Sequence, residues 1–197
     1  TYVILDGFDL GVAILCGFAG TEARRNHMIA TISPFWDGNE TWLVVIGTTL
    51  FACFPAVYAV FLPAFYIPVM LLLFGLIFRG VAFEYRVHGS IRPFWDTGFV
   101  VGSAVVAFVQ RAAVGAMIRG IPIKDNQYAG GAFEWLAPLP ILTGLGLVAG
   151  YALLGAGWIV WKTEGELHDW ARRLIPRIAG LTLVILGIAA VFTMVNR

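Results

Sequence analysis

Long apolar stretches constrain this 197-residue chain more than any other feature. Hydrophobic residues make up 59% of the sequence and charged residues only 13%, about half of the roughly 25% found in soluble domains. The chain therefore lacks the polar surface to face water on all sides, which predicts a polytopic membrane protein. A membrane-crossing helix needs ~20 apolar residues. We predict about six, at residues 2–18, 40–60, 64–83, 98–118, 136–161 and 175–195.

The predicted fold is all-α, with residues 1–197 forming one transmembrane helical domain. No alternation typical of a membrane β-barrel is visible, so helices are the spanning structure left. A short charge-free corner at 61–66 indicates an antiparallel helical hairpin. Glycine pairs at four-residue spacing allow close helix approach, and we expect them to serve packing inside the bundle. Three pairs are present: Gly7 and Gly11, Gly98 and Gly102, Gly146 and Gly150.

The distribution of basic residues predicts the orientation. The connections after the first, third and fifth predicted spans contain Arg24, Arg25, Arg86, Arg92, Lys162, Arg172 and Arg173, with Arg79 at the edge. The alternate connections contain only Arg119 and Lys124. By the positive-inside rule the first set is cytoplasmic, so the N-terminus is expected on the periplasmic side.

Two carboxylic acids interrupt the first apolar stretch. Asp6 and Asp9 are three residues apart, so on a helix they lie on one face. A carboxylate at the centre of a bilayer costs several kcal/mol, and an intramembrane acid therefore marks a functional site by default.

A second acid pair begins the second predicted span. A Ser–Pro pair at 33–34 is a favourable helix start, and Asp37 then lies near the first turn, where the helix dipole favours an anion. Capping needs one acid, yet Glu40 follows three residues later, with Asn39 between them and Trp36 alongside. The cluster exceeds what helix capping requires, and we consider Trp36 and Asn39 as contacts to a partner or to an ion pair.

The four acids lie at graded depth. At 1.5 Å per residue, Asp37 and Glu40 lie roughly 5–10 Å from the cytoplasmic end of their span, Asp9 about 14 Å from it, and Asp6 deeper. Such a ladder of carboxylates suits a proton relay. The competing interpretation neutralises the acids in structural ion pairs with Arg79 or other cations.

A third charged cluster lies near the cytoplasmic end of the third predicted span. It contains Arg79, Glu84 and Arg86. One interpretation is a surface ion-pair edge. The alternative is a contact to a partner subunit or to a cofactor carboxylate.

The sequence contains no recognisable cofactor motif. His27, His88 and His168 fall in predicted cytoplasmic connections, and no His or Met pair lies in facing spans as the axial ligands of a haem would. Nucleotide-binding loops and zinc motifs are also missing. We expect no metal site, no cofactor held by this chain's own ligands, and no nucleic-acid partner.

Several motifs resemble subunit II of the cytochrome bd-type quinol oxidases. They follow one another in order: LDGFDLG (5–11), the basic segment 22–25, PFWDGNETWL (34–43), FACFPAVYA (51–59), LIFRGVAFEYR (76–86) and GSIRPFWD (89–96). Because members of the family are considerably longer, the resemblance implies that this chain is the N-terminal part of such a subunit.

The resemblance implies a subunit of a quinol:oxygen oxidoreductase in the bacterial cytoplasmic (inner) membrane. Two b-type haems and one d-type haem would belong to partner subunit I, which this subunit stabilises. The acids matching Asp9 and Asp37 would contribute a cytoplasmic proton path, and Asp6 and Glu40 fit the same motifs. A structural quinone, membrane lipid and small accessory subunits are further implied partners.

Two other functions are compatible with the residues. An ion-coupled secondary transporter would use the acids to bind its coupling ion, but it predicts an inverted repeat and a broken mid-membrane helix, and the sequence shows neither. A purely structural scaffold subunit would hold the acids in ion pairs.

Overall fold

The computed structural model describes residues 2–88, 91–125 and 127–195 and is dominated by helices. The α-helices are α1 (Tyr2–Cys16), α2 (Glu22–Ile32), α3 (Trp36–Cys53), α4 (Pro55–Ala64), α5 (Tyr66–His88), α6 (Arg92–Arg119), α7 (Pro138–Lys162) and α8 (Glu166–Val195). The connection between α6 and α7 holds an antiparallel pair of two-residue strands, β1 (Ile123–Lys124) and β2 (Gln127–Tyr128), and a 3₁₀ helix (Glu134–Leu136). The predicted all-α membrane class is confirmed.

Four helices of the described part are long and apolar enough to cross a membrane: Tyr66–Arg86, Arg92–Arg119, Pro138–Lys162 and Glu166–Val195. They correspond to the third to sixth predicted spans. The first predicted span forms the 15-residue α1. The second, predicted as continuous over 40–60, is divided at Phe54 between α3 and α4. Phe54 leaves the helical conformation because the proline that follows disfavours α backbone angles.

The first helix forms the centre of the bundle. Every residue from Asp9 to Cys16 is buried, and α1 contacts α2, α3, α6 and α7. By contrast, α3 contains no buried residue, and the described part of α8 buries only Leu167, Ala171 and Ala189. The acids of α1 therefore lie in the most enclosed part of the structure.

Glycines allow α1 and α7 to cross at backbone contact. A Cβ atom added at Gly11 would lie 1.8 Å from the Tyr151 carbonyl oxygen, and one at Gly155 would lie 2.3 Å from the Gly11 carbonyl carbon. Gly7 lies against the Tyr151 ring in the same contact. The predicted role of the first glycine pair in internal packing is confirmed.

The other two glycine pairs differ from one another. Gly98 lies against the Phe78 ring, and a Cβ at Gly102 would lie 2.9 Å from the Gly75 carbonyl oxygen, so this pair also packs internally. In the third pair, a Cβ at Gly150 would meet no described atom within 4 Å. Packing within the described residues does not require glycine there.

Ion pairs join three connections at one end of the bundle. Arg25 Nη1 lies 2.6 Å from Asp96 Oδ2, and Arg86 pairs with the other oxygen of the same carboxylate. Two further pairs are Arg24 with Glu166 and Arg92 with Glu22. These contacts link the connections after the first, third and fifth predicted spans, which the charge pattern had assigned to a common side.

Gly11→Ala should destabilise the protein, because the added methyl group would overlap backbone atoms of α7 that cannot rotate away. Overpacking of this kind costs about 1–3 kcal/mol or more. Gly150→Ala is the matched control, since alanine there should gain ~0.5–1 kcal/mol of helix propensity without a clash. Thermal unfolding midpoints of the two purified variants in detergent measure the difference. Equal midpoints would show that α1 and α7 do not cross this closely.

Candidate functional site

Arg79 lies at the centre of a buried cluster of charged side chains. Its side chain is 0% exposed, and its Nη1 atom lies 3.2 Å from Asp6 Oδ1 and 3.1 Å from Glu40 Oε2. Carboxylates from α1 and α3 therefore share one guanidinium nitrogen supplied by α5. Removing one partner of a buried ion pair leaves an uncompensated charge and typically costs about 3–5 kcal/mol.

A hydrogen bond to α3 also holds the second acid of α1. Asn39 Nδ2 donates to Asp9 Oδ2 over 2.7 Å, and Asp9 is fully buried. Asn39 and Glu40 are consecutive in α3, so one turn of this helix contacts Asp9 directly and reaches Asp6 through Arg79. The structure thus brings together Asp6, Asp9, Asn39, Glu40 and Arg79 from three helices.

The cluster contains more polar atoms than its internal contacts use. Within the described residues, Asp6 Oδ2, Asp9 Oδ1 and the Nε and Nη2 atoms of Arg79 are buried without a hydrogen-bond partner. Three carboxyl groups also face a single guanidinium. Because buried polar atoms without partners are costly, this arrangement favours taking up protons or further hydrogen-bonding groups.

Asp37 stands apart from the buried cluster. It is exposed in the first turn of α3, one turn before Glu40. Trp36 lies beside it, with its ring centroid 5.8 Å from Arg79 Cζ and 4.9 Å from the Phe83 ring. Trp36 and Asn39, considered as partner contacts, therefore both touch side chains of their own chain.

Arg79 and Glu84 do not form a surface ion-pair edge. Arg79 points inward to Asp6, whereas Glu84 is exposed and has no ion-pair partner among the described residues. Arg86 is nearly buried, pairs with Asp96, and donates from Nη1 to Asn26 Oδ1 over 2.6 Å. The three residues therefore occupy separate environments.

A family model described as cytochrome bd terminal oxidase subunit II matches residues 1–195. The chain belongs to this family. The motifs that carry the predicted resemblance are the same segments that supply the buried cluster: LDGFDLG supplies Asp6 and Asp9, PFWDGNETWL supplies Asn39 and Glu40, and LIFRGVAFEYR supplies Arg79. The predicted family is confirmed.

Curated relatives carry matching names. Cytochrome bd-I ubiquinol oxidase subunit 2 of Escherichia coli (strain K12) is 37% identical over 98% of this chain and 53% of its own length. The probable cytochrome oxidase subunit 2 of Haemophilus influenzae is 37% identical over 97% of this chain and 53% of its own length. Cytochrome bd ubiquinol oxidase subunit 2 of Bacillus subtilis is 35% identical over 96% and 58%. The chain thus spans about half the length of these relatives.

Two polar features of this subunit II chain were missed by sequence reasoning. Asp96 bridges Arg25 and Arg86, and Gln110 hydrogen-bonds two tyrosines inside a predicted span. Asp96 closes the GSIRPFWD motif, and Gln110 is a lone amide in an apolar run. Both polar residues are visible in the sequence, but the sequence does not show which side chains the fold brings next to them.

The two histidines with described side chains lie on α2 and at the start of α8. His168, in the first turn of α8, has its Nδ1 atom 3.0 Å from the Val160 carbonyl oxygen and 3.2 Å from that of Thr163, so it contacts the end of α7. His27 is exposed on α2, and the side chain of His88 lies outside the described part. No group of three or more His, Cys, Asp or Glu residues in the described part is arranged to hold a metal ion.

An apolar cavity of about 560 Å³ lies between α3 and α4 on one side and α5 and α6 on the other, with the start of α1 at its edge. Leucine, isoleucine, valine and phenylalanine dominate its wall, and Gly47 faces it from α3. Tyr2 and Gln110 also line it, but they are hydrogen-bonded to each other. The volume falls within the ~300–1,000 Å³ of ligand sites, and the wall suits a hydrocarbon chain.

Proposed function

We propose that this chain is part of the second subunit of a bd-type oxidase, which couples quinol oxidation to the reduction of dioxygen to water in the bacterial cytoplasmic membrane. The observation that carries the proposal is the family match over residues 1–195. The names of the relatives support a quinol oxidase rather than an ion-coupled transporter.

The redox centres belong to the partner in this proposal. Subunit I holds two b-type haems and one d-type haem, and this chain stabilises it. The exposed apolar face of α3 and α4 supports a subunit contact, because Trp42, Phe51, Phe54 and Val57 are each 41–64% exposed and a large apolar patch typically marks an interaction site. Glu84, which is exposed and has no ion-pair partner among the described residues, is a further partner contact. Lipid covers α8, and small accessory subunits complete the complex.

The buried cluster forms part of a cytoplasmic proton path. Asp37 is the exposed acid, and Glu40, one turn further along α3, is 25% exposed where it meets Arg79. From Glu40 the route continues to Asp9, which is held by the neighbouring Asn39, and Asp6 contacts the same Arg79 nitrogen as Glu40. The spare acceptor atoms of Asp6 and Asp9 support proton binding.

Asp9→Asn and Asp37→Asn should each slow oxygen consumption by the complete oxidase, because an amide cannot take up and release the relayed proton. A positioned acid or base contributes about 10²–10⁴-fold, so we expect a loss of roughly a hundredfold. Glu164→Gln is the control, since Glu164 is exposed in the turn between α7 and α8.

The haem spectrum distinguishes the alternative explanations. If the acids relay protons, the haem content of the variants stays at the level of the unmodified complex while their oxygen consumption falls. Unchanged turnover in Asp9→Asn would remove the relay from consideration. Loss of haem in either variant would instead support a purely structural scaffold.

We also propose the complete topology: six membrane-crossing segments, an N-terminus on the periplasmic side, and the end of the bundle with the Arg25–Asp96 ion pair in the cytoplasm. The grouping of three basic connections by ion pairs supports this arrangement. The divided segment of α3 and α4 then forms the second crossing.

Thiol labelling of intact cells tests the orientation. Cys53 is exposed and is first replaced by serine, while Cys16 is buried. In that background, Lys124→Cys should react with a membrane-impermeant maleimide added outside, and Arg172→Cys only after lysis, because the two positions lie on opposite sides. The reverse pattern would show that the topology is inverted. Labelling of both cysteines from outside would contradict the single crossing that separates the two positions.

We further propose that the apolar cavity holds the tail of a structural quinone. Gly47→Phe should fill it, because a Cβ at Gly47 would meet no described atom within 4 Å and the residue lines the wall. Gly187→Phe is the control, with equal free space on α8. Quinone extracted per purified complex should fall severalfold in the first variant only. If the Gly47→Phe variant retained all of its quinone, this cavity would be excluded as the site of the quinone tail.

A further inference from the structure

Three arginines in the first half of α8 have no acidic partner. Arg25 and Arg86, at the same end of the bundle, share a carboxylate. By contrast, Arg172, Arg173 and Arg177 are exposed, and none of them forms an ion pair with the described residues. This part of α8 therefore presents positive charge that no described carboxylate neutralises.

The position of Arg177 along α8 places it at the edge of the membrane in the proposed topology. Residues 178–195 contain no charged side chain and, at 1.5 Å per residue, extend over about 27 Å. This length is close to the ~30 Å thickness of the hydrocarbon core. Arg177 then lies where the hydrocarbon meets the lipid headgroups, and Arg173 lies one turn further toward the cytoplasm.

Arg173 and Arg177 share a helix face with an exposed apolar stripe. The two arginines are four residues apart, and Leu181, Val184 and Ile188 follow at helical spacing, so all five residues lie on one side of α8. None of the five is buried, and the three apolar side chains are 50–60% exposed. Two guanidinium groups beside an apolar stripe match the order of groups in a phospholipid, in which a phosphate precedes a hydrocarbon chain.

We propose that this face of α8 binds an anionic phospholipid. Arg173 and Arg177 donate hydrogen bonds to the phosphate, and an acyl chain lies along Leu181, Val184 and Ile188. A guanidinium suits this role because its planar set of donors matches a phosphate and keeps its charge at physiological pH. The inference rests on the proposed membrane-crossing role of α8 and specifies the class of lipid that covers it.

The charge of the site favours an anionic lipid over a zwitterionic one. Asp169 is the nearest acid along α8, but it contributes its backbone carbonyl oxygen, which accepts from Arg173 Nε over 3.1 Å. This bond holds the guanidinium at the helix surface, and its Nη atoms have no partner among the described residues. A choline group beside two guanidinium groups would be repelled, because charges of the same sign repel most strongly where water is excluded.

Photo-crosslinking of the complete oxidase tests the site. The purified complex is stripped of lipid in detergent and titrated with phosphatidylglycerol or phosphatidylcholine that carries a diazirine in the acyl chain, and crosslinks within residues 178–195 are counted by mass spectrometry. Phosphatidylglycerol should reach half-saturation at the lower concentration. Arg177→Gln, and more so Arg173→Gln/Arg177→Gln, should raise that concentration, roughly fivefold for each guanidinium removed.

Arg172→Gln is the matched control. It removes the same charge from an exposed arginine about 100° around the helix from Arg173, so half-saturation should not change. Equal half-saturation in the unmodified complex and the double variant, or equal binding of the two lipids, would overturn the proposal. An effect of Arg172→Gln as large as that of Arg177→Gln would also overturn it, because attraction to the general positive charge of α8 would then be sufficient.

The outcomes separate this lipid site from the proposed function. Haem content verifies assembly, and Arg177→Gln alone serves if the double variant does not assemble. Loss of haem from Arg177→Gln would assign this arginine to a protein contact, which would overturn the lipid site and leave the oxidase function in place. Because the titration in detergent does not depend on membrane orientation, an inverted thiol-labelling pattern would move the site to the other leaflet without removing it.

Discussion

Burying a charge in an apolar helix bundle is costly unless a partner of opposite charge is within reach, and Arg79 supplies that partner here. Its guanidinium contacts Asp6 of α1 and Glu40 of α3. These contacts matter most for the attachment of α3, which has no buried residue of its own. Polar contacts, including the bond from Asn39 to Asp9, therefore attach this helix to the bundle more than apolar burial does.

The backbone contact between α1 and α7 makes this electrostatic arrangement effective. Gly11 and Gly155 let the two helices approach until no side chain separates them, which encloses the acids on α1. Electrostatic interactions strengthen as water is excluded. The same contact that packs the core therefore strengthens the pairing of Asp6 with Arg79.

Sequence reasoning succeeded where the signal was local and failed where it depended on tertiary contacts. The length and composition of the apolar segments predicted α5 to α8. The same criterion does not detect the break in the helix that Pro55 imposes at Phe54. The acid pairs were found because acids are costly in apolar segments. Arg79 was one candidate partner, but the sequence did not show which acids it reaches, since it is 73 residues from Asp6. Asp37 and Glu40 share a helix face, yet only Glu40 reaches the guanidinium.

The unequal environments of the three clustered carboxyl groups explain why one cation can suffice. Asp6 is fully buried and faces Arg79, so its negative charge balances the guanidinium. Asp9 has the neutral amide of Asn39, and Glu40 lies at the partly exposed edge. Of these three carboxyl groups, Asp9 is the one without an ion pair among the described residues. The proposed relay uses an acid of this kind beside the fixed charge of Arg79.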